Sequence, residues 1–274
     1  MNDIDISIRN ALDANPLREP VFASAIRSLK LPPGSHGLDI GCGIGLQALL
    51  LAEAVSPAGH VKGIDIAPEM LNYAEKLAVK AGCSDQVSFC LGDGNRLPFE
   101  NHAFDWVWSA DCIGYPINDF LPLTGEVVRI LKPGGSIILL GWSSQQLLPG
   151  YPLLEARLNA CCSGYVPYFE GRAPERHFLR AKRWFQELGL EEIKTQTFVG
   201  DVQAPLSPGE RLALVSLFDM LWGQLQPGTL PEDWKEFQRL CTPGSSDFIP
   251  DSQGYYAFFT YTLFQGRVPA RKAS

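Results

Sequence analysis

Asp39-Ile40-Gly41-Cys42-Gly43-Ile44-Gly45 decides how this chain is read. It continues a short apolar run, Gly37-Leu38-Asp39-Ile40, and leads into Leu46 to Val55, a run of good helix formers. A strand that turns through glycines into a helix lets the backbone come close to a ligand, because no Cβ stands in the way. The spacing is G-x-G-x-G; Leu46 holds the sixth position that G-x-G-x-x-G would give to glycine. A glycine loop alone is weak evidence. Its neighbours have to carry the argument.

Those neighbours alternate. Val61 to Asp65 reads as a second strand. Pro68 suits the first turn of a helix in which Met70, Tyr73, Ala74, Leu77 and Ala81 recur at helical spacing, with Gly82 at its end. Val87 to Leu91 and Phe104 to Ser109 read as strands three and four. Phe120, Val127, Ile130 and Leu131 mark a helix that Pro133-Gly134-Gly135 stops, and Ser136 to Gly141 is a fifth strand. This rhythm predicts an α/β fold with a parallel sheet, helices on both faces and right-handed crossovers. Ligands then bind outside the carboxyl ends of the strands. Four acids fall at that edge: Asp39, Asp65, Asp93 in Leu91-Gly92-Asp93-Gly94, and Asp111. Each one alone could be a helix or turn cap. As a row behind a glycine loop they point to a nucleoside site. A row of carboxylates repels phosphate and suits a cation, which weighs against a dinucleotide and a dehydrogenase.

Composition agrees. In 274 residues, 23 Lys and Arg face 30 Asp and Glu, a net charge of −7, so no broad nucleic-acid-binding surface is expected. Apolar residues make up 46% and charged residues 19%, the balance of a globular chain. No signal peptide and no membrane span is apparent. The seven cysteines form no C-x-x-C pair and read as reduced thiols of a cytoplasmic protein.

The chain resembles the class I S-adenosylmethionine-dependent methyltransferases, in the small-molecule branch that includes ubiquinone and menaquinone methyltransferases. The resemblance rests on Leu38 to Gly45, Gly63-Ile64-Asp65-Ile66, Gly92-Asp93-Gly94-Asn95, Leu97-Pro98-Phe99, Phe104-Asp105 and Arg129 to Gly135, and spans roughly residues 30–145. It implies a Rossmann-like sheet of seven strands, mostly parallel with the last strand antiparallel, so that 193–199 and 255–264 pair. It implies S-adenosylmethionine as cofactor, with Asp39, Gly41, Cys42, Gly43 and Gly45 around its methionine part. Asp65 would hold the ribose hydroxyls, with Ile66 and Met70 against adenine. Gly92, Asp93 and Gly94 would meet the adenine amino group. Ser109 and Asp111 would line the wall near the sulfonium.

The expected organisation is a cofactor-binding core over 1–142 with an N-terminal helix, inserts at 143–173 and 200–253 that form a lid for the acceptor, and completion of the sheet by 174–199 and 254–274. The first insert reads as loop-rich, with Tyr151, Tyr165, Tyr168 and Phe169; Pro174 to Leu188 reads as one helix. In the second insert Ser207-Pro208-Gly209-Glu210 has capping-box spacing before a helix that is apolar on most sides, around Leu214, Leu217, Phe218 and Trp222. Such a helix is covered either within the core or in a homodimer.

Methyl transfer is an in-line displacement, expected here onto a small apolar or aromatic acceptor. A hydroxyl acceptor also needs a base unless it ionises easily. His36, His60 and His102 precede strands and belong to the far edge. His177, Asp111 and Tyr115 are the catalytic candidates, with Tyr168 behind them; His177 could equally be a helix-start residue facing water. An arsenite-type methyltransferase using Cys112 and Cys161/Cys162 is an alternative, since thiolates suit soft metalloids. A nucleotide-binding protein without turnover is another. There is no Asn/Asp-Pro-Pro-Tyr/Phe motif after strand four and no Asp-Asn pair after strand five, so neither a nucleic-acid substrate nor a metal is expected.

Overall fold

The structure is a computed structural model that describes residues 3–114, 125–162, 171–223 and 228–270. Its elements are α1 (Asp3–Leu29), β1 (His36–Ile40), α2 (Leu46–Val55), β2 (His60–Asp65), α3 (Pro68–Ala81), β3 (Val87–Leu91), β4 (Phe104–Ala110), α4 (Gly125–Ile130), β5 (Leu131–Gln146), α5 (Pro152–Ala160), α6 (Ala181–Glu187), β6 (Glu191–Gln203), α7 (Pro208–Trp222), α8 (Pro231–Cys241) and β7 (Tyr256–Arg267). The seven strands lie in the order β3-β2-β1-β4-β5-β7-β6. Strands β1 to β5 pair in parallel. β7 runs against its neighbours. Val268 exchanges backbone bonds with Gly134 and Gly135, while Thr260 meets Ser143. Thr262 meets Thr197, and Phe259 stands over Gly200. Positions thus rise along β5 and β6 as they fall along β7. The sheet is the α/β, mostly parallel one expected, with 193–199 and 255–264 paired.

The chain forms two compact units. The first comprises Phe22–Trp142, Glu175–Phe198 and Thr262–Ser274. Its central strands are buried on both faces, which is why Trp106–Trp108 and Ile137–Leu140 are continuous apolar runs instead of alternating ones. Leu38, Ile40, Val107, Ile130, Leu139 and Phe185 belong to one core cluster. Gly37 in β1 lies opposite Trp106 in β4, and a Cβ there would overlap the indole. The indole is itself fixed, since its Nε1 donates to Ser35 Oγ at 2.9 Å. Gly37→Ala is therefore expected to destabilise the protein by about 2 kcal/mol through overpacking, read as a lower urea midpoint at unchanged slope.

The second unit comprises Met1–Val21, Ser143–Pro174 and Val199–Tyr261. α5 is its polar hub. The Glu155 carboxylate accepts from the backbone N–H groups of Leu147 and Leu148, at 2.8 and 2.9 Å. Arg157 grips Asp233 of α8 with two bonds of 2.7 and 2.6 Å. Asn159 Oδ1 accepts from Gln145 and from the Trp222 indole. These bonds satisfy polar groups that burial would otherwise penalise. α7 starts at the capping box anticipated from Ser207 and Glu210. Leu214, Leu217, Phe218 and Trp222 are buried, while Leu212 and Met220 of the same helix stay exposed.

Several expectations are corrected. The 143–173 segment is not loop throughout: β5 extends to Gln146 and α5 follows. Pro174 to Leu188 is not one helix but two short 3-10 turns, Pro174–Arg176 and Phe178–Arg180, then α6. The break falls at His177, whose extended backbone (φ −69, ψ 134) caps the second turn. Leu131 opens β5 and does not end α4. Phe104 pairs with Leu131 and Trp106 with Ser136, so Pro133-Gly134-Gly135 bulges out of the strand, with Gly134 at φ 81. α8 was not anticipated, although Trp234, Phe237 and Cys241 have helical spacing behind Pro231. Tyr115, Phe120, Tyr165, Tyr168 and Phe169 lie outside the described residues. No described helix is long and apolar enough to cross a membrane.

Candidate active site

Parallel register puts the ends of β1, β2, β3 and β4 side by side, with Ile40 against Ile64, Asp65 against Leu91 and Asp39 against Trp108. Asp39, Asp65, Asp93 and Asp111 thus belong to one edge of the first unit. The glycine loop is anchored there. Gly41 N–H and Cys42 N–H both donate to Ile64 O, at 2.9 and 3.2 Å. Gly41 has φ 73, and a Cβ on it would run into Cys112. Gly43 has φ 51, and a Cβ there would meet nothing within 4 Å. The backbone at Gly43 therefore fronts open space. Gly45 caps α2 with a left-handed φ of 81.

Asp65 holds the loop. Its Oδ2 accepts from Gly43 N–H and its Oδ1 from Ala67 N–H, each at 2.9 Å. The capping role leaves each carboxylate oxygen a further lone pair with which a ligand donor can be met. Asp93 is exposed and forms a local turn, its Oδ1 accepting from Asn95 N–H at 2.8 Å and from Asn95 Nδ2 at 3.0 Å. Between these acids two apolar side chains stand in solvent, Ile66 at 69% and Leu91 at 59% exposure. Met70, Gly92 and Gly94 are half-buried beside them. Leu91, the last residue of β3 just before Gly92, joins the candidate site only in the structure, where its exposure beside Asp65 singles it out.

Asp39 is the buried member. It is 1% exposed, and its Oδ2 has no hydrogen-bond partner among the described residues. Burial, helped by the nearby Asp65 carboxylate, pushes its pKa up to about 8. Burial also raises the thiols beside it, Cys42 strongly and Cys112 to about 12, so neither is a thiolate near neutral pH.

Ser109 is a latch. Its Oγ donates to Ile40 O at 3.1 Å and accepts from Ile113 N–H at 3.2 Å, joining the ends of β1 and β4. Ser109→Ala leaves both backbone groups without these partners and is expected to cost about 1–2 kcal/mol, measured by urea denaturation of the unliganded protein. Asp111 has φ 50; its N–H donates to Leu140 O and its Oδ1 accepts from Trp142 N–H, each at 2.9 Å. It ties the end of β4 to β5. His177 is half-buried, and burial holds its pKa below the usual histidine value. Its Nδ1 accepts from Leu179 N–H at 3.2 Å, so the proton of the neutral ring sits on Nε2. In that state Nε2 is a donor and not a base. Tyr115 is outside the described residues.

The residues present fit a positively charged nucleoside. An orphaned carboxylate oxygen suits a cation, an open backbone cradle admits a ligand, and exposed apolar side chains between two acids suit the faces of a flat base. The arsenite reading finds no support. Cys112 is held un-ionised, and the described residues contain no group of three or more potential metal ligands. The comparisons below do not support the non-catalytic reading either.

Residues 38–135 match the model of a methyltransferase domain. Demethylmenaquinone methyltransferase of Bacillus cytotoxicus is 31% identical over 194 residues, covering 65% of this chain and 79% of the relative. The Staphylococcus aureus enzyme of the same name is 29% identical over 194 residues, covering 65% and 77%. Among solved structures, the YcgJ protein of Bacillus subtilis has the same fold, with a TM-score of 0.56 at 20% identity over 92% of this chain and 99% of that one. A SAM dependent methyltransferase from Aquifex aeolicus has it too, with a TM-score of 0.53 at 15% identity over 98% and 99%. The glycine loop, the row of acids, the strand order and these relatives agree: the chain belongs to the class I S-adenosylmethionine-dependent methyltransferases of the menaquinone and ubiquinone type.

Proposed function

We propose that this methyltransferase acts on an aromatic, lipophilic acceptor of the demethylated-quinone class, in its reduced form. The observation that carries this reading is the 31% identity that runs through 79% of a demethylmenaquinone methyltransferase. S-adenosylmethionine, when bound, supplies an electrophilic methyl group on a sulfonium. The protein's part is to hold the acceptor in line with that methyl and to exclude water. Asp39, Gly41, Cys42, Gly43 and Gly45 take the amino-acid end of the cofactor, with Asp39 as counter-charge. Asp65 accepts from the ribose hydroxyls while it holds the loop. Ile66, Met70 and Leu91 flank the adenine; Gly92, Asp93 and Gly94 meet its edge. Ser109 and Asp111 stand near the reacting carbon.

A ring hydroxyl makes the adjacent carbon nucleophilic once it loses its proton; after that carbon has taken the methyl, its hydrogen would move as a proton to the ring oxygen, which restores the aromatic hydroxyl, and the proton held by the base would pass to solvent. Asp111 is the proposed proton acceptor. His177, with its proton on Nε2, would hold the acceptor's oxygen as a donor. The inserts 143–173 and 200–253 supply acceptor-binding residues, and the enzyme works in the cytoplasm. The test is incubation of the purified protein with methyl-labelled S-adenosylmethionine and a reduced demethylated quinone. Label is expected on the quinone, and Asp111→Asn should lower kcat by about 100-fold with little change in cofactor affinity. Faster labelling of a non-quinone phenol would overturn the choice of acceptor.

A further inference from the structure

The first unit has a concavity at the edge of its sheet opposite the row of acids. The amino ends of β4, β5 and β6, the carboxyl end of β7 and the last turn of α1 line a groove of about 810 Å3. Four cations converge there from three strands and a loop: Lys30 after α1, Lys132 on β5, Lys194 on β6 and Arg267 on β7. Two carboxylates oppose them, Asp105 and Glu192, so the groove carries four minus two, or +2, in a chain whose total is −7.

The pairing is uneven. Asp105 is committed: its Oδ1 accepts from Lys132 at 2.8 Å and its Oδ2 from His36 N–H at 2.9 Å. Arg267 and Glu192 are a loose pair at 3.6 Å. Lys30 and Lys194 are exposed and have no carboxylate partner among the described residues. Thr195, Gln196 and Gln265 add neutral hydrogen-bonding groups between the charges. Lys30 also holds φ 51, a left-handed conformation that glycine adopts more readily at the end of a helix. The chain thus keeps a long cationic side chain at a position where the backbone favours none.

We propose that this groove binds a small soluble anion bearing phosphate groups, at a site separate from the methyl-transfer edge. Phosphate oxygens are best held by several cations approaching from different directions, and Lys30 after α1, Lys194 on β6 and the loosely paired Arg267 on β7 provide them here. The volume exceeds a bare phosphate and lies in the range of small-molecule sites. A lipid headgroup offers the same chemistry, but a flat bilayer cannot follow a recess between a helix end and a sheet.

The experiment uses the full chain, with inorganic pyrophosphate as probe and titration calorimetry as readout. Saturable binding that weakens as salt is raised is expected. Lys194→Glu should weaken it by about tenfold, since it reverses a charge inside the groove. Lys30→Gly should weaken it by about threefold while the thermal midpoint stays level or rises, because glycine relieves the left-handed backbone. S-adenosylmethionine should bind both variants as it binds the parent, which separates a local effect from a folding defect. No saturation up to about 10 mM pyrophosphate, or equal affinity in the parent and both variants, would overturn the proposal. So would co-flotation with phosphatidylglycerol vesicles in the absence of pyrophosphate binding, which would assign the cations to a membrane surface.

Discussion

Asp65→Ala is expected to weaken S-adenosylmethionine binding by about 1.5–3 kcal/mol, a rise of about 10- to 150-fold in the dissociation constant. The proposed ribose contact accounts for part of this. The rest comes from the loop, because the same carboxylate fixes Gly43 N–H and Ala67 N–H at 2.9 Å each. Asp65→Asn separates the two contributions only partly. Its amide has one acceptor oxygen, so its NH2 must face one of the two backbone N–H donors. Asparagine is therefore expected to fall between aspartate and alanine, not beside aspartate. Calorimetric titration of the parent and both variants checks the order. Unchanged affinity in the alanine variant would show that the ribose lies elsewhere.

Asp39→Asn changes how stability depends on pH. The Asp39 carboxyl titrates near 8 in the folded protein against an ordinary value of 3.8, because it is fully buried and faces Asp65. Between those values the folded state holds a proton that the unfolded state has lost, so stability falls as pH rises through this window. The full contribution is present only below about pH 4. By pH 8 most of it is gone, a loss on the order of a few kcal/mol. Asparagine cannot ionise, so the variant should lose this slope and be more stable than the parent at pH 8, by about 1–3 kcal/mol in the unliganded protein. Urea midpoints at pH 5, 6.5 and 8 measure it; the same slope in both proteins would show that another group titrates. The variant should also bind the cationic cofactor less tightly, having lost the counter-charge. In the parent, binding near neutral pH should release a proton, seen as a calorimetric enthalpy that varies with the buffer's ionisation heat.

The first half of the chain was legible because its signals are local. A glycine triplet between an apolar run and a helix, acids that end successive strands, and Pro68 and Gly82 at the two ends of α3 each constrain the backbone within a few residues. β1, α2, α3 and β3 accordingly lie where they were expected. The later half was less legible for equally physical reasons. Pro174 to Leu188 carries its apolar residues at helical spacing, and periodicity alone does not reveal that His177 takes an extended conformation to cap a short turn. α8 has a polar sequence with a narrow apolar stripe, and its Asp233 reads as a surface acid until Arg157 of α5 meets it.

Periodicity and glycine spacing act over short range, so the order of residues alone carried the class of fold and the gathering of glycines and acids at one edge of the sheet. What those residues are to one another came from long-range packing. That Asp65 ties down Gly43, that Asp39 is sealed with one oxygen unpartnered, that Ser109 joins two strand ends, and that Asp111 is held by Trp142 all depend on contacts between residues 22 to 69 positions apart in the chain. The groove of Lys30, Lys132, Lys194 and Arg267 belongs to the same category. Its cations are scattered along more than 200 residues and become one positive field only when three strands and the loop after α1 bring them together.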